Sequence, residues 1–508
     1  MNKTVFSGIA ILMIVFLSAC RQKGSNTETQ PLPSYHFTAG TGWTGEPAGL
    51  VYADGDYHLF YQHNPTDDKY GNIHWGHAIS RDLLHWQIMP VALSPDSSGY
   101  LRSGSVVADT QNTSGLSTGK SVPFIAFYTY NDPAQEQEIA CAYSTDKGAT
   151  WTKLPSFTLS DCNGFALRNP HVSWNNEYQQ WLMTVSVGPA IRFYTSPDCK
   201  QWTYRSEFKD MTASGNWEGS DFFPLKIEGE DTTKWVLLIN MENGPAGGAP
   251  ATRYFIGDFD GTSFRISQTK ELWLDYGKDH YAFSTFNGLP DNQRIGMGWM
   301  NDWEYANLLP ASGWCDNMTL PRRMKLVREG THCVLANAPL EELEKYRKDS
   351  YPIESGKLSD EKRIKGNYPY PGKPVLLELK FDNTDHRAIW RARNYGIRLK
   401  TKSGRELSIG YQNELSYYYI DRSNWTTQHP IYGFQQLMGA TYYSEADTSD
   451  WSILFDRNSV ELFASGGKIA MTALCYPMEE FCSYELFADS GSVTLLEGSI
   501  NELKNINP

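Results

Sequence analysis

The chain has 508 residues, with 45 basic against 58 acidic side chains and a formal charge of -13. That length exceeds one small core and gives room for two or three domains, while the acidic balance argues against nucleic acid or an anionic membrane surface as a partner. Aromatic residues make up 14% of the chain and long Leu/Ala-rich helical runs are scarce, which marks a β-rich protein with aromatic surface for stacking on sugars.

Residues 1–20 carry one cation near the start (Lys3), an apolar run from Val5 to Leu17, and then Ser18, Ala19 and Cys20. The apolar run is too short for a membrane span and ends in small residues, so it reads as an export signal. Its ending resembles the lipobox of bacterial lipoproteins, which implies that Cys20 is lipidated and anchors the chain to a membrane. An ordinary signal peptide cut before a cysteine is the alternative. Residues 21–34, RQKGSNTETQPLPS, are polar and fit a tether. The expectation is an exported, membrane-anchored monomer facing the periplasm or the outside. The cysteines beyond Cys20 show no CxxC spacing, so neither a zinc site nor a disulfide framework is inferred.

The first chemically suggestive stretch runs from Trp43 to Gly49, a turn segment carrying Glu46. It leads into LVYADGDYHLFYQHNP, which reads as a strand, a tight Asp54-Gly55 turn and a second strand. A phrase then recurs: SRDLLHW (80–86), STDKGATW (144–151) and SPDCKQW (196–202), with a looser echo in GDFDGTSF (257–264). Each of the first three follows an aromatic alternating strand and closes a turn with a packed Trp. Successive copies lie about 50 to 65 residues apart, the length of one four-stranded sheet with its loops. Residues 35–335 therefore read as a β-propeller of about five blades, with a generic β-sandwich as the alternative. His74 and His77 read as structural rather than as metal ligands.

Two polar clusters stand where further strands begin. One is Arg168-Asn169-Pro170-His171; the other is NWEGSDFF (216–223), in which Glu218 sits beside Trp217 and the Phe222-Phe223 pair. Those neighbours would desolvate Glu218, as a general acid requires. Two carboxylates from different blades facing one sugar ring is the arrangement of glycoside hydrolysis. Beyond the propeller, residues 336–350 have apolar positions at helical spacing with Pro339 near the start, predicting a short linker helix. From 351 to 508 alternating strands return, predicting an antiparallel β-sandwich without a catalytic carboxylate cluster.

The order of blocks resembles glycoside hydrolase family 32, the fructan hydrolases, invertases, inulinases and levanases. EPAGLVYADGDYHLFYQHNP is followed by HWGHAISRDLLHW, SGSVV, RNPHV, NWEGSDFFPL, YFIGDFDGTSF, DYGKDHYAFSTF, GWMNDWEYA and TLPRRMKL, and SILFDRNSVELF lies near the end. The resemblance implies an all-β chain, a five-bladed β-propeller followed by a C-terminal β-sandwich, that hydrolyses β-fructosides such as levan, inulin or sucrose by a retaining mechanism. No cofactor and no metal site is expected, because no loop has a recognisable ligand spacing.

Carried over position by position, the resemblance makes Glu218 the acid/base and keeps Arg168. The sequence departs elsewhere: Glu46 stands where the family has a nucleophilic Asp, Gly45 and Ala48 replace two Asn, Asn169 replaces a transition-state-stabilising Asp, and Gly219 replaces a Cys. The extra methylene of Glu moves a carboxylate on the order of 1 Å, a misplacement that can cost about 100-fold. Gly45 would free room for Glu46 to fold back. Asn169 can still hydrogen-bond sugar hydroxyls but brings no charge. Gln62, Asn64, Trp75 and Ser103 match positions lining the family's fructosyl pocket, and Trp43 and Trp303 offer stacking faces. Three functions stay open at this stage: a β-fructosidase, a catalytically silent fructan-binding lipoprotein, and a glycosidase reshaped for another linkage.

Overall fold

The computed structural model describes residues 31–507, apart from short loop stretches of which 132–136 and 158–166 are the longest. Cys20, the export signal and residues 21–30 of the tether lie outside the described residues. The expected architecture is observed: five propeller blades come first, and two stacked sheets follow.

Blade 1 consists of Gly42–Ala53, Asp56–Asn64, His74–Ser80 and Trp86–Leu93. Its first hairpin is dictated locally: Asp54 and Gly55 both adopt positive φ, 51° and 87°, so Ala53 pairs directly with Asp56. Blades 2, 3 and 4 begin with Tyr100–Ala108, Leu167–Asn175 and Trp217–Lys226 and repeat the order of four neighbouring strands. Blade 5 is Tyr281–Thr285, Arg294–Trp299, Arg322–Glu329 and His332–Pro339. A loop within blade 5 closes the ring, because its short strand Trp314–Cys315 pairs in parallel with Gly42 and Trp43 of blade 1.

The recurring Ser-x-Asp phrase has one structural meaning. In blade 1, Ser80 Oγ accepts from the Leu83 N–H (2.8 Å) and Asp82 Oδ1 from those of Leu84 and His85 (3.0 and 2.8 Å). The Trp86 indole then donates to the Leu83 carbonyl at 3.0 Å. Trp151 and Trp202 donate to Gly148 and Cys199 in the same way, at 3.0 and 3.2 Å. The phrase therefore marks the turn between third and fourth strands, where side chains satisfy backbone groups that no ladder reaches.

The sandwich stacks a sheet containing Val375–Asp382, Thr448–Asp456 and Ser492–Leu503 on one containing Asn394–Thr401, Glu406–Gln412 and Phe481–Asp489. Alternate residues such as Leu377, Leu379, Ile397, Ile409, Ile453 and Leu486 fill the space between them.

The linker differs from its expected form. Residues 336–339 finish the last strand of blade 5, Glu341–Tyr346 is a single short 3-10 helix, and Arg347–Pro352 already pairs with the strand Ser492–Leu503. Six residues with only Leu343 buried cannot offset helix nucleation, and sheet pairing on both sides wins. The tether also ends early. Ser34 is buried, its N–H donating to Asp456 Oδ1 at 2.9 Å and its hydroxyl to Asn505 Oδ1 at 2.7 Å.

Buried charges lock the two domains together. His36 lies between Asp456 and Glu461 of the sandwich, with Nδ1 and Nε2 each 2.9 Å from a carboxylate oxygen. Burial alone would lower the His36 pKa; the two carboxylates reverse this and raise it to about 9. A folded-state value above the ordinary 6.5 gives stabilisation that is complete below about pH 6.5 and lost as pH rises through 9. Thermal stability should therefore fall by an amount on the order of 3 kcal/mol across that window. His36→Gln should start lower at pH 6 and show a flatter profile, which a melting series from pH 6 to 9.5 would read.

Candidate active site

Every inner strand loses its regular pairing near its start, where it reaches the mouth of the propeller. The register shifts fall between Thr44 and Pro47, between Leu101 and Gly104, opposite the Arg168–His171 stretch, between Glu218 and Ser220, and between Tyr281 and Ser284. Such irregularities re-aim side chains. Asn169, Gly219 and Ala282 sit in them with φ of 46°, 46° and 53°. The consequence is one pocket of about 460 Å³ into which Glu46, Ser103, Arg168, Asn169, Glu218 and Tyr281 converge. Gln62, Arg102, Glu242 and Trp303 complete much of its wall.

One layer below, the axis is filled. Asn287 donates from Nδ2 to the carbonyls of Val106 (3.1 Å) and Val172 (3.0 Å). Asp221 Oδ2 accepts from the Thr285 N–H and hydroxyl at 2.7 and 2.6 Å, and His171 Nε2 lies 3.1 Å from Asp221 Oδ1. These contacts tie blades 2 to 5 together beneath the pocket.

The two carboxylates have different surroundings. Glu46 Oε2 accepts from Gln62 Nε2 and Ser103 Oγ, each at 3.0 Å. Desolvation pushes its pKa up to about 7; the Ser103 hydroxyl opposes this, Glu218 adds to it, and Arg102 and Trp303 oppose it. Glu218 meets Arg168 Nη1 through one oxygen and Asn169 Nδ2, at 3.1 Å, through the other. Trp217, Phe222 and Phe223, the neighbours of Glu218 in the sequence, pack into the blade cores, and the Glu218 side chain is 23% exposed.

Three of the expected sugar contacts lie elsewhere. Trp43 is 1% exposed and donates its indole N–H to Asp316 Oδ2 at 2.8 Å, so it packs rather than stacks on a ligand. Asn64 caps the turn after its strand, donating to the Lys69 carbonyl (2.9 Å) and accepting from the Thr66 N–H (3.1 Å). Trp75 is wholly buried and donates to the Arg102 carbonyl at 2.9 Å, supporting the pocket wall from behind. Trp303 does face the pocket, packed edge-on against Tyr70.

Gly45 also has a different role from the one expected. A Cβ there would stand 2.1 Å from Cη2 of Trp43, so the tryptophan ring, not the Glu46 side chain, occupies the room that Gly45 leaves. Gly45→Ala should displace the ring and the strand bearing Glu46. A loss of about 1–3 kcal/mol in denaturant unfolding is expected. A fall of about 100-fold in turnover should accompany it. Gly219 is explained by its φ of 46° and by Asn240 Nδ2, which a Cβ would approach to 3.1 Å.

Arg102, Tyr281 and Glu242 were not singled out from the sequence. Arg102 lies beside the SGSVV block and Tyr281 within DYGKDHYAFSTF, so position in a block was the available signal. Arg102 packs its guanidinium over Tyr70, 5.7 Å from the ring centre.

A pocket at the mouth of a five-bladed propeller, holding Glu46 of blade 1 and Glu218 of blade 4 among polar donors, with Glu242 in its wall, defines a site of the glycosidase class. The chain belongs to glycosyl hydrolase family 32: the family's N-terminal domain matches residues 36–339 and its C-terminal domain residues 342–502. It is 35% identical to a levanase of Bacillus subtilis (strain 168) over 98% of this chain and 74% of that protein. It is 31% identical to an extracellular exo-inulinase of Aspergillus awamori over 92% of this chain and 94% of that one. The crystal structure of exo-inulinase from Aspergillus awamori superposes with a TM-score of 0.85 at 28% identity, covering 95% of this chain and all of that chain. A β-fructofuranosidase from Schwanniomyces occidentalis, solved with fructosyl-erythritol, gives 0.84 at 27% identity over 95% of this chain and 99% of that chain.

Proposed function

We propose that the protein is a β-fructosidase that releases fructose from a fructan or from sucrose with retention of configuration. The observation that carries this reading is the convergence of Glu46 and Glu218 on one pocket, in a chain whose relatives are named levanase and exo-inulinase. Glu46, ionised, attacks the anomeric carbon while Glu218 protonates the departing glycosidic oxygen, giving a covalent fructosyl-enzyme. Glu218, now a carboxylate, takes a proton from water, which attacks the same carbon and frees Glu46. Gln62 and Ser103 hold the Glu46 carboxylate in place, and Arg168 and Asn169 hold that of Glu218. When sugar enters, Asn169 is placed to exchange Glu218 for a fructosyl hydroxyl. Trp303 offers its ring to the sugar. The protein is exported as a monomer and anchored through lipid on Cys20, in keeping with its apolar N-terminal run and with a relative named extracellular.

One observation favours a second reading, capture of fructan without cleavage: Asn169 brings no charge to the pocket, and its amide is bound to Glu218. The pH profile of fructose release separates the two. Glu46 must be ionised to attack and Glu218 protonated to release the leaving group, so release should follow a bell in pH whose acid limb is the ionisation of Glu46, raised above the ordinary carboxylate value by burial. Ser103→Ala removes a hydrogen bond that favours the charged form, and should move this limb upward. An acid limb that Ser103→Ala leaves in place would contradict Glu46 as the group whose ionisation it reports. Sugar binding with no release at any pH would establish capture.

A further inference from the structure

One turn of the sandwich, Ile431 to Phe434, packs against the propeller residues Lys278, Glu304 and Tyr305 and is closed by the Phe434 N–H donating to the Ile431 carbonyl at 3.1 Å. Phe434 is fully buried, edge-on to Tyr305 with ring centres 5.3 Å apart, and its carbonyl accepts from Arg422 Nε at 2.6 Å. Gly433 has a φ of 74°, and a Cβ there would stand 2.2 Å from a Glu304 carboxylate oxygen. Its carbonyl accepts from Lys278 Nζ at 2.9 Å. The turn is therefore fixed from three sides. On it, between two anchored residues, Tyr432 is left 83% exposed.

The turn that carries this ring lies against residues adjacent in sequence to the pocket wall. Glu304, against which the turn presses, follows Trp303 of the pocket wall. Gln436, two residues past the turn, lies beside Gly247, with its side-chain amide 3.6 Å from where a Cβ would stand. Gly247 belongs to the loop whose two ends supply Glu242 and Pro250 to the same wall. The turn thus bridges two propeller loops that form the rim. Leu308, on the short helix Ala306–Leu308, is also exposed, at 61%; Asn307 beside it accepts from the N–H of Tyr70, whose ring packs on Trp303.

Scattered exposed apolar residues are ordinary, but these two lie on elements that touch Glu304 and Tyr70, the neighbours of the wall residue Trp303. The pocket, about 460 Å³, has room for a small ligand of one or two sugar rings, so the remainder of a longer chain has to leave across the rim. A tyrosine on a fixed turn presents a flat amphipathic face at low entropic cost.

We propose that Tyr432, with Leu308, is a platform for the sugar rings of an extended fructan that lie beyond those in the pocket. The sandwich would then set preference for polymer over disaccharide. This rests on the β-fructosidase reading. Measured with levan and with sucrose, Tyr432→Ala should lower the ratio of kcat/KM on levan to that on sucrose about fivefold to tenfold, through KM, while Tyr432→Phe keeps the wild-type ratio. An unchanged ratio in Tyr432→Ala overturns the platform and leaves the enzyme reading intact. If the wild type cleaves neither sugar, that reading fails on its own, and titration with levan decides the platform: weaker binding by Tyr432→Ala supports it, whereas equal binding or no binding overturns it.

Discussion

Glu46→Gln should reduce fructose release by about 10⁴-fold or more in kcat, the scale seen when a residue that acts as part of a catalytic unit is removed. The substitution keeps the length of the side chain and removes only its ability to carry negative charge. Gln62 and Ser103, which donate to Oε2 at 3.0 Å each, can donate to the amide oxygen instead, so the pocket should keep its shape. Burial already disfavours the charge on Glu46, so loss of the charge should leave folding undamaged at neutral pH. The expected pattern is therefore lost turnover with retained sugar binding. It would be read from initial rates of fructose release beside a calorimetric titration. A Glu46→Gln protein that still turns over within tenfold of the wild type would remove Glu46 from the chemistry.

Arg322→Met should destabilise the folded chain by about 3–5 kcal/mol, the usual cost of leaving a buried counter-charge unpaired. Arg322 is fully buried and spans the two domains: Nη1 donates to Asp275 Oδ2 (2.8 Å) and Asn337 Oδ1 (3.0 Å), and Nη2 to Glu461 Oε2 (2.7 Å) and Thr472 Oγ1 (2.6 Å). Asp275 and Glu461 keep lowered pKa values despite burial, with Arg322 the leading favourable influence on each. Without the guanidinium both carboxylates would have to take up protons or remain buried and uncompensated. Denaturant unfolding would show the loss as a lower midpoint. A change under 1 kcal/mol would mean that water or a neighbour replaces the guanidinium.

Much of the fold was legible because its signals are local. The Ser-x-Asp turns, the Asp54-Gly55 hairpin and the alternating strands each act within a few residues, and together they point to the blade repeat. Seven of the ten residues expected around the sugar line the pocket: Glu46, Gln62, Ser103, Arg168, Asn169, Glu218 and Trp303. Trp43, Asn64 and Trp75 do not: Trp43 and Trp75 are buried and bonded within the protein, and Asn64 caps the turn after its strand. Strand alternation assigns a side chain to a face only while the register is regular, and the inner strands lose it beside the pocket. The same break hid Tyr281 and Arg102. The cluster of His36, Arg322 and Glu461 gave no signal, since its members are 139 to 425 residues apart and meet only when the two domains dock. The linker helix was predicted from spacing that the structure uses for sheet edges on both sides of one short turn.

The most direct test of the central claim is fructose release from levan, inulin and sucrose by the purified chain without Cys20, measured beside Glu218→Gln. Release by the wild type that disappears in Glu218→Gln is the predicted result, and it would establish hydrolysis of β-fructosides with Glu in the place of the nucleophile. No release from any of the three sugars, or equal release by both proteins, would contradict it.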